Sequence, residues 1–192
     1  MQNLTFTRIN DLPVIYWKDF YSQKESKKIF DEIKYLERFN IFKRSTSPGG
    51  PGTAYSNGIA LKEASGVHLD SVYENRNESD ILSINRKLFK SKLETYHPIF
   101  RYISKCNNDS TKIHHYEEGD HYKKHTDDCV ITAISWFYES PKPFTGGDLI
   151  LENRLHLPCL NNSMVVFPSI MYHEVTPVVG TGRYSMSQFL YM

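Results

Sequence analysis

Residues 167–191 read FPSIMYHEVTPVVGTGRYSMSQFLY. Two short apolar segments, Glu174–Val179 and Tyr184–Tyr191, flank a turn signal at Gly180–Gly182. The same texture runs back to residue 104. Lys112–Tyr116, Val130–Tyr138, Asp148–Glu152 and Met164–Phe167 are short apolar runs, separated by Gly119, Pro141–Gly147 and Asn161-Asn162. Many short strands at this spacing predict an all-β barrel or sandwich. High aromatic content, 14% with 13 Tyr and 11 Phe, suits a pleated surface on which flat rings pack.

The first half differs. Leu12–Trp17 reads as a short strand entering the fold. Ser22 and Glu25 form a capping-box pattern ahead of an apolar stripe at Ile29, Ile33 and Leu36, which predicts a helix from Gln23 to Glu37. Phe39–Phe42 reads as a second strand. Ser45–Gly58, with SPGGPG at its centre, must be a loop, either a lid over a site or a tolerated insertion. Ser79–Tyr96 predicts a second helix, capped by Ser79 or Asp80, with a further helical turn at Ile99–Ile103. The expectation is a mainly β (α+β) fold in a single domain, 1–192. Residues 1–103 form a helical support region and 104–192 the β core. No internal repeat or domain boundary is visible.

Composition excludes several classes of function. A net charge of +1 gives no footprint for nucleic acid. Cys106, Cys129 and Cys159 are odd in number and widely spaced, which argues against a disulfide framework and a cysteine zinc site. No signal peptide and no membrane-spanning run is visible, so the expectation is a reducing, cytoplasmic setting with no membrane partner. No Ser-His-Asp elbow, P-loop or dinucleotide fingerprint occurs.

The chemistry-bearing motif is His125-Thr126-Asp127. On a strand, residues i and i+2 project from one face, so an imidazole and a carboxylate would converge. His173, from a distant strand, completes a two-His, one-carboxylate set, which occupies one face of an octahedral iron and leaves positions open. A rival pair, His68-Leu69-Asp70 with His115, is separated by a helical stretch that cannot supply barrel walls, and His68 and Asp70 read as structural or surface residues. Arg183 heads a strand ten residues after His173. Taken alone it is a solvated strand start; inside a barrel it must be paired, and a dicarboxylate would satisfy it. His114 shares a face with Tyr116 and either borders the pocket or packs in the core. The cluster Arg86, Lys87, Lys90 and Lys92 reads as a solvated helix face.

Tyr116-Glu-Glu-Gly119-Asp-His-Tyr122-Lys-Lys-His125-Thr-Asp127 resembles the Y-x-x-G-x-x-Y-x-x-H-x-D segment of prolyl 4-hydroxylases. Gly146-Gly147-Asp148 looks like their glycine–glycine–acid turn. His173, Pro177, Val178, Gly182 and Arg183 look like their His…Pro-Val…Gly-[Lys/Arg] segment. Ala64-Ser65-Gly66-Val67-His68-Leu69 looks like their Ser-Gly segment. The resemblance covers nearly the whole chain and is to the prolyl 4-hydroxylase-like family of Fe(II)/2-oxoglutarate-dependent dioxygenases.

That resemblance implies a double-stranded β-helix (jelly roll) core with supporting N-terminal helices. It implies Fe(II) on His125, Asp127 and His173, with 2-oxoglutarate and O₂ as co-substrates, and admits ascorbate. Arg183 would hold the far carboxylate of 2-oxoglutarate. Tyr116, Ser187 and Trp136 would line the co-substrate pocket, and Tyr122 and Phe189 the substrate side. For the aromatic residues core packing is the competing reading. Trp136 departs from the tyrosine often found there, since an indole N–H is bulkier and only donates. Arg183 stands where collagen-type members carry Lys, and the oxygen-sensing branch uses Arg.

The implied activity is C–H hydroxylation, with decarboxylation of 2-oxoglutarate to succinate. The acceptor would be a prolyl residue of a protein or peptide, a free amino acid or another small metabolite. A non-catalytic jelly-roll binding module and a zinc or structural metal protein are the alternatives.

Overall fold

The computed structural model describes the backbone of residues 6–8 and all of residues 12–192. Two antiparallel sheets face each other. The larger runs in the order Phe6–Arg8, Ile15–Trp17, Met164–Pro168, Ile131–Phe137, Arg183–Tyr191, Asn108–Tyr116, Ser65–His68, Lys43–Arg44. The smaller runs Leu155–Leu157, Leu149–Leu151, His173–Val175, His121–His125, Lys62–Glu63. This is the jelly-roll arrangement, with helices on the outer face of the larger sheet.

Alternation along the central strands separates two cores. On Arg183–Tyr191, Tyr184, Met186 and Leu190 pack toward the helices, while Arg183, Ser185, Ser187, Phe189 and Tyr191 face the cavity between the sheets. On Asn108–Tyr116, Ile113 faces the helices, and Lys112, His114 and Tyr116 face the cavity. Period-two projection thus turns sequence into a dry helical side and a polar interior.

The helix Gln23–Arg38 has its reciprocal cap: Glu25 N donates to Ser22 Oγ, and Ser22 N donates to Glu25 Oε2 at 2.8 Å. Its buried Ile29, Ile33 and Leu36 each contribute roughly 1.5–3 kcal/mol by leaving water. The predicted strand Phe39–Phe42 is not formed. Asn40 takes a left-handed φ of 54°, Asn40 N donates to Glu37 O, and Ile41 N donates to Leu36 O. That closing motif consumes the segment as a helix stop, and the strand begins only at Lys43–Arg44.

The second helix is also shorter than its apolar pattern. Ser79 caps it, but α-geometry holds only over Asp80–Asn85, followed by 3₁₀ turns at Arg86–Lys90 and Leu93–Thr95. Asn85 is buried, its amide donates to Thr111 Oγ1, and its carbonyl accepts from Gln188 Nε2. These ties to the sheet end the helix. The loop beginning at Ser45 ends in a hairpin, Tyr55–Ser56 with Ile59–Ala60, turned by Asn57 and Gly58 at positive φ. Residues before 104 therefore do more than support: they supply edge strands to both sheets.

Gly66 explains why its neighbours in sequence matter. It lies opposite His114, and a Cβ there would sit 2.2 Å from the Ile113 carbonyl oxygen. Gly66→Ala is expected to cost about 1–3 kcal/mol, because backbone must move to admit the methyl. Urea unfolding of the variant measures this, and an unchanged midpoint would show that the strands can part freely. No helix among the described residues is long and apolar enough to cross a membrane.

Candidate metal and co-substrate site

His125 and His173 are directly opposed on neighbouring strands of the smaller sheet, with ring centroids 4.1 Å apart. The strand carrying His125 ends there, so Asp127 does not project from it at i+2. Asp127 returns by a different route. Its N–H donates to Ser169 O at 3.0 Å, and Thr132 Oγ1 donates to its Oδ2 at 2.7 Å. His125 Nε2 then lies 3.7 Å from Asp127 Oδ1, and His173 Nε2 lies 3.3 Å from Asp127 Oδ2.

The tautomers follow from the backbone. His125 Nδ1 is 2.9 Å from Lys123 O and His173 Nδ1 is 3.1 Å from Met171 O. A carbonyl only accepts, so each Nδ1 carries the hydrogen and each Nε2 presents a lone pair. Burial, and then the neighbouring His173, hold His125 far below its ordinary value, at about 3. Burial would raise Asp127, but the neighbouring His173 and the Thr132 hydroxyl hold it below the usual carboxylate range. Two lone pairs and a carboxylate thus converge within 4.8 Å, an arrangement that repels itself unless a cation sits between them. The donor set fits a divalent metal. It does not by itself choose iron over zinc.

A cavity of about 360 Å³ opens beside this cluster. The residues assigned to the metal, co-substrate and substrate positions all line it: His125, Asp127, His173, Arg183, Tyr116, Ser187, Trp136, Tyr122 and Phe189. His114 lines it too. Tyr122 stacks on His125 at 3.5 Å between centroids, and its hydroxyl accepts from Ala54 N. That bond brings residues 52–54 of the long loop to the rim.

Arg183 is 1% exposed. Its Nε donates to Gly147 O at 2.9 Å, and its guanidinium lies 4.4 Å over the Tyr116 ring. Gly147, at φ +67°, is the residue that makes room, since a Cβ there would be 2.5 Å from Arg183 Cδ and Nε. Burial dominates Tyr116 and pushes it up to about 12 against the pull of Arg183, so it stays a phenol. Arg183 Nη1, Trp136 Nε1 and His114 Nδ1 are all buried without a hydrogen-bond partner. Orphaned buried donors are costly, and three of them around one cavity fit an acceptor-rich ligand there.

Two cationic cavity residues carry no signature that singles them out in the sequence: Lys62 and Lys112. Lys112 was within reach, because it lies two residues before His114 on the same face. Lys62 comes from a two-residue strand, Lys62–Glu63, with no periodicity to mark it. The rival pair is structural: Asp70 takes Arg76 at 2.8 Å and accepts from Thr111 N.

Residues 111–191 match the family model described as the 2OG-Fe(II) oxygenase superfamily. By this match residues 111–191 are similar to that superfamily, and the fold of the chain is prolyl 4-hydroxylase-like. A Pseudomonas putida prolyl-4-hydroxylase superposes with a TM-score of 0.66 at 14% identity, covering 95% of this chain and 94% of that one. A Trichoplax adhaerens prolyl hydroxylase, in complex with a peptide fragment of the hypoxia inducible factor oxygen degradation domain, gives 0.61 at 16%, covering 95% and 84%. A viral collagen prolyl hydroxylase from Paramecium Bursaria Chlorella virus-1 gives 0.58 at 12%, covering 94% and 96%. No curated protein matches the chain. Proteins of the matched superfamily use Fe(II) and 2-oxoglutarate, and the donor set and the orphaned donors here fit such ligands.

Proposed function

We propose that this chain is an Fe(II)- and 2-oxoglutarate-dependent dioxygenase that hydroxylates an aliphatic C–H bond and acts as one catalytic unit. The observation that carries the reading is a pair: three metal-type donors converging within 4.8 Å, and a buried arginine with an unused Nη1 lining the same cavity. A structural metal alone has no use for the arginine.

His125, Asp127 and His173 would hold Fe(II). When bound, Fe(II) and 2-oxoglutarate supply the oxidising power for C–H hydroxylation, with O₂ consumed and 2-oxoglutarate leaving as succinate and CO₂. The chain's own residues position and exclude. Arg183 donates to the far carboxylate, and Tyr116 and Trp136 offer a hydroxyl and an indole N–H beside it. Ser187 lines the same cavity four residues further along the strand. Tyr122 and Phe189 wall the acceptor side and keep water from the reacting carbon. Likeness to prolyl hydroxylases makes a prolyl ring the first acceptor to test, in a peptide or in a small molecule.

The test is anaerobic titration of the Fe(II)-loaded protein with 2-oxoglutarate. A weak visible charge-transfer band from the chelated keto acid is expected, saturating near one equivalent. Iron that binds without producing the band would replace this reading with that of a metal-binding module.

A further inference from the structure

Lys62 is 3% exposed and lines the cavity. Its ammonium lies 3.0 Å from His114 Nε2 and 4.9 Å from the centroid of the Tyr122 ring. An ammonium only donates, so His114 Nε2 accepts, and the His114 hydrogen resides on Nδ1, the atom with no partner. Lys112 is half-buried on the same cavity wall, its ammonium 5.4 Å from the Phe189 ring centroid. Among the described residues neither ammonium forms an ion pair with a carboxylate within 4.0 Å. Burial, then Lys112, depresses Lys62 to about 7 against the pull of Asp127, and burial likewise lowers Lys112. Two cations taken from water with no anion to meet them are an unbalanced expense in a folded core, and such charges are normally paired.

The co-substrate does not balance them. Tyr116 pairs with Arg183, His114 with Ser185, and Lys112 with Ser187, so these residues form successive rungs of one wall. At about 3.4 Å per residue, Lys112 is roughly 13 Å along the strand from Tyr116, beyond the reach of a five-carbon diacid held at Arg183. Charge agrees. Fe(II) and the 2-oxoglutarate dianion cancel, Arg183 serves the far carboxylate, and Asp127 serves the metal. Of the remaining ionised lining groups, Lys62 and Lys112 face only Asp128, which is solvent-exposed.

We infer that Lys62 and Lys112 form an anion subsite for the acceptor, so that the molecule hydroxylated is a small carboxylic acid, such as a free amino or imino acid, bound through its carboxylate. The inference rests on the oxygenase reading and deepens it. His114 positions Lys62 by accepting one of its hydrogens, leaving two for the ligand. Phe189 and Tyr122 contact the carbon skeleton. A neutral prolyl segment inside a peptide would leave both ammoniums unmatched, whereas a free carboxylate near the reacting carbon meets them.

The probe is sodium propionate against propionamide, two molecules of nearly equal shape that differ in charge. Each is titrated calorimetrically into the Fe(II)-loaded protein under anaerobic conditions, with 2-oxoglutarate saturating so that Arg183 is occupied. Propionate is expected to bind about tenfold tighter than propionamide, the scale of a charge-assisted hydrogen bond. The preference should collapse in Lys62→Met and in Lys112→Gln, with the 2-oxoglutarate titration unchanged. Because Lys112 is partly exposed, its variant reports even if Lys62→Met folds poorly. Absence of any preference for the acid overturns the inference, and so does a preference that survives both variants. Loss of the charge-transfer band in the unsubstituted protein would instead strike the oxygenase reading itself.

Discussion

Replacing His173 with alanine is expected to leave a folded protein that retains little iron and loses at least about 100-fold in 2-oxoglutarate turnover. Groups that only orient a metal ligand already cost 10–100-fold when removed, so loss of the ligand itself sets a higher floor. The position makes the effect specific. His173 is 4% exposed, sits across from His125, and donates from Nδ1 to Met171 O. Its imidazole packs edge-on to Phe167, at 5.0 Å between centroids. Alanine removes one of three donors and relieves part of the repulsion among the others. The apo variant should therefore unfold within a few degrees of the parent even though a small cavity is left, an offset of opposing terms each of about 1–2 kcal/mol. Iron content after reconstitution, succinate formation and thermal unfolding read the three quantities separately. Full iron with full turnover would remove His173 from the metal site.

How much of this was legible follows from which forces act locally. The capping box at Ser22 and the stripe at Ile29, Ile33 and Leu36 are contained within a few residues of chain, and they gave the first helix almost to its ends. The strands around His173 and Arg183 were legible for the same reason: turn glycines and period-two alternation are local. What failed was decided by partners outside the segment. Asn85 looks like one more helix residue until Gln188, 103 positions away, takes its carbonyl. Phe39–Phe42 looks like a strand until Ile41 N meets Leu36 O and closes the helix. The Asn57-Gly58 hairpin, by contrast, was written in the sequence as a type I′ turn signal and was masked by the glycine-rich run before it.

The site shows the same division. The three residues do converge, but strand alternation is not what brings Asp127 in. It was read as the strand neighbour of His125, whereas it lies past the strand end and is held by Ser169 O and Thr132 Oγ1. A motif can thus report a constellation without reporting how it is built. Lys62 was invisible for a stronger reason. Its burial depends on the Lys62–Glu63 segment pairing with His121–His125, and nothing within the segment announces that pairing.

Arg183→Met is expected to raise the 2-oxoglutarate concentration needed for half-saturation by roughly 10–100-fold while leaving iron affinity nearly unchanged, since charge-assisted hydrogen bonds contribute about 1.5–3 kcal/mol each way of counting. Stability should move the other way. Among the described residues Arg183 has no carboxylate partner; it meets Gly147 O, Tyr116 and Cys159, and Nη1 is unsatisfied. Methionine fills much of the same volume without a charge, and replacing an uncompensated buried ion by an apolar side chain is often neutral or stabilising by about 1–4 kcal/mol. The apo variant should accordingly melt at or above the parent temperature, and the parent should gain more from added 2-oxoglutarate than the variant does. Gly147→Ala provides an independent approach to the same atom. Its Cβ would press within 2.5 Å of Arg183 Cδ and Nε, displacing the guanidinium without removing it. Both variants should lose 2-oxoglutarate affinity, but only Gly147→Ala should also lose stability, because its backbone is at φ +67°. If instead Arg183→Met weakens iron and 2-oxoglutarate equally, the arginine supports the cavity as a whole, and the far carboxylate must be held elsewhere on its wall.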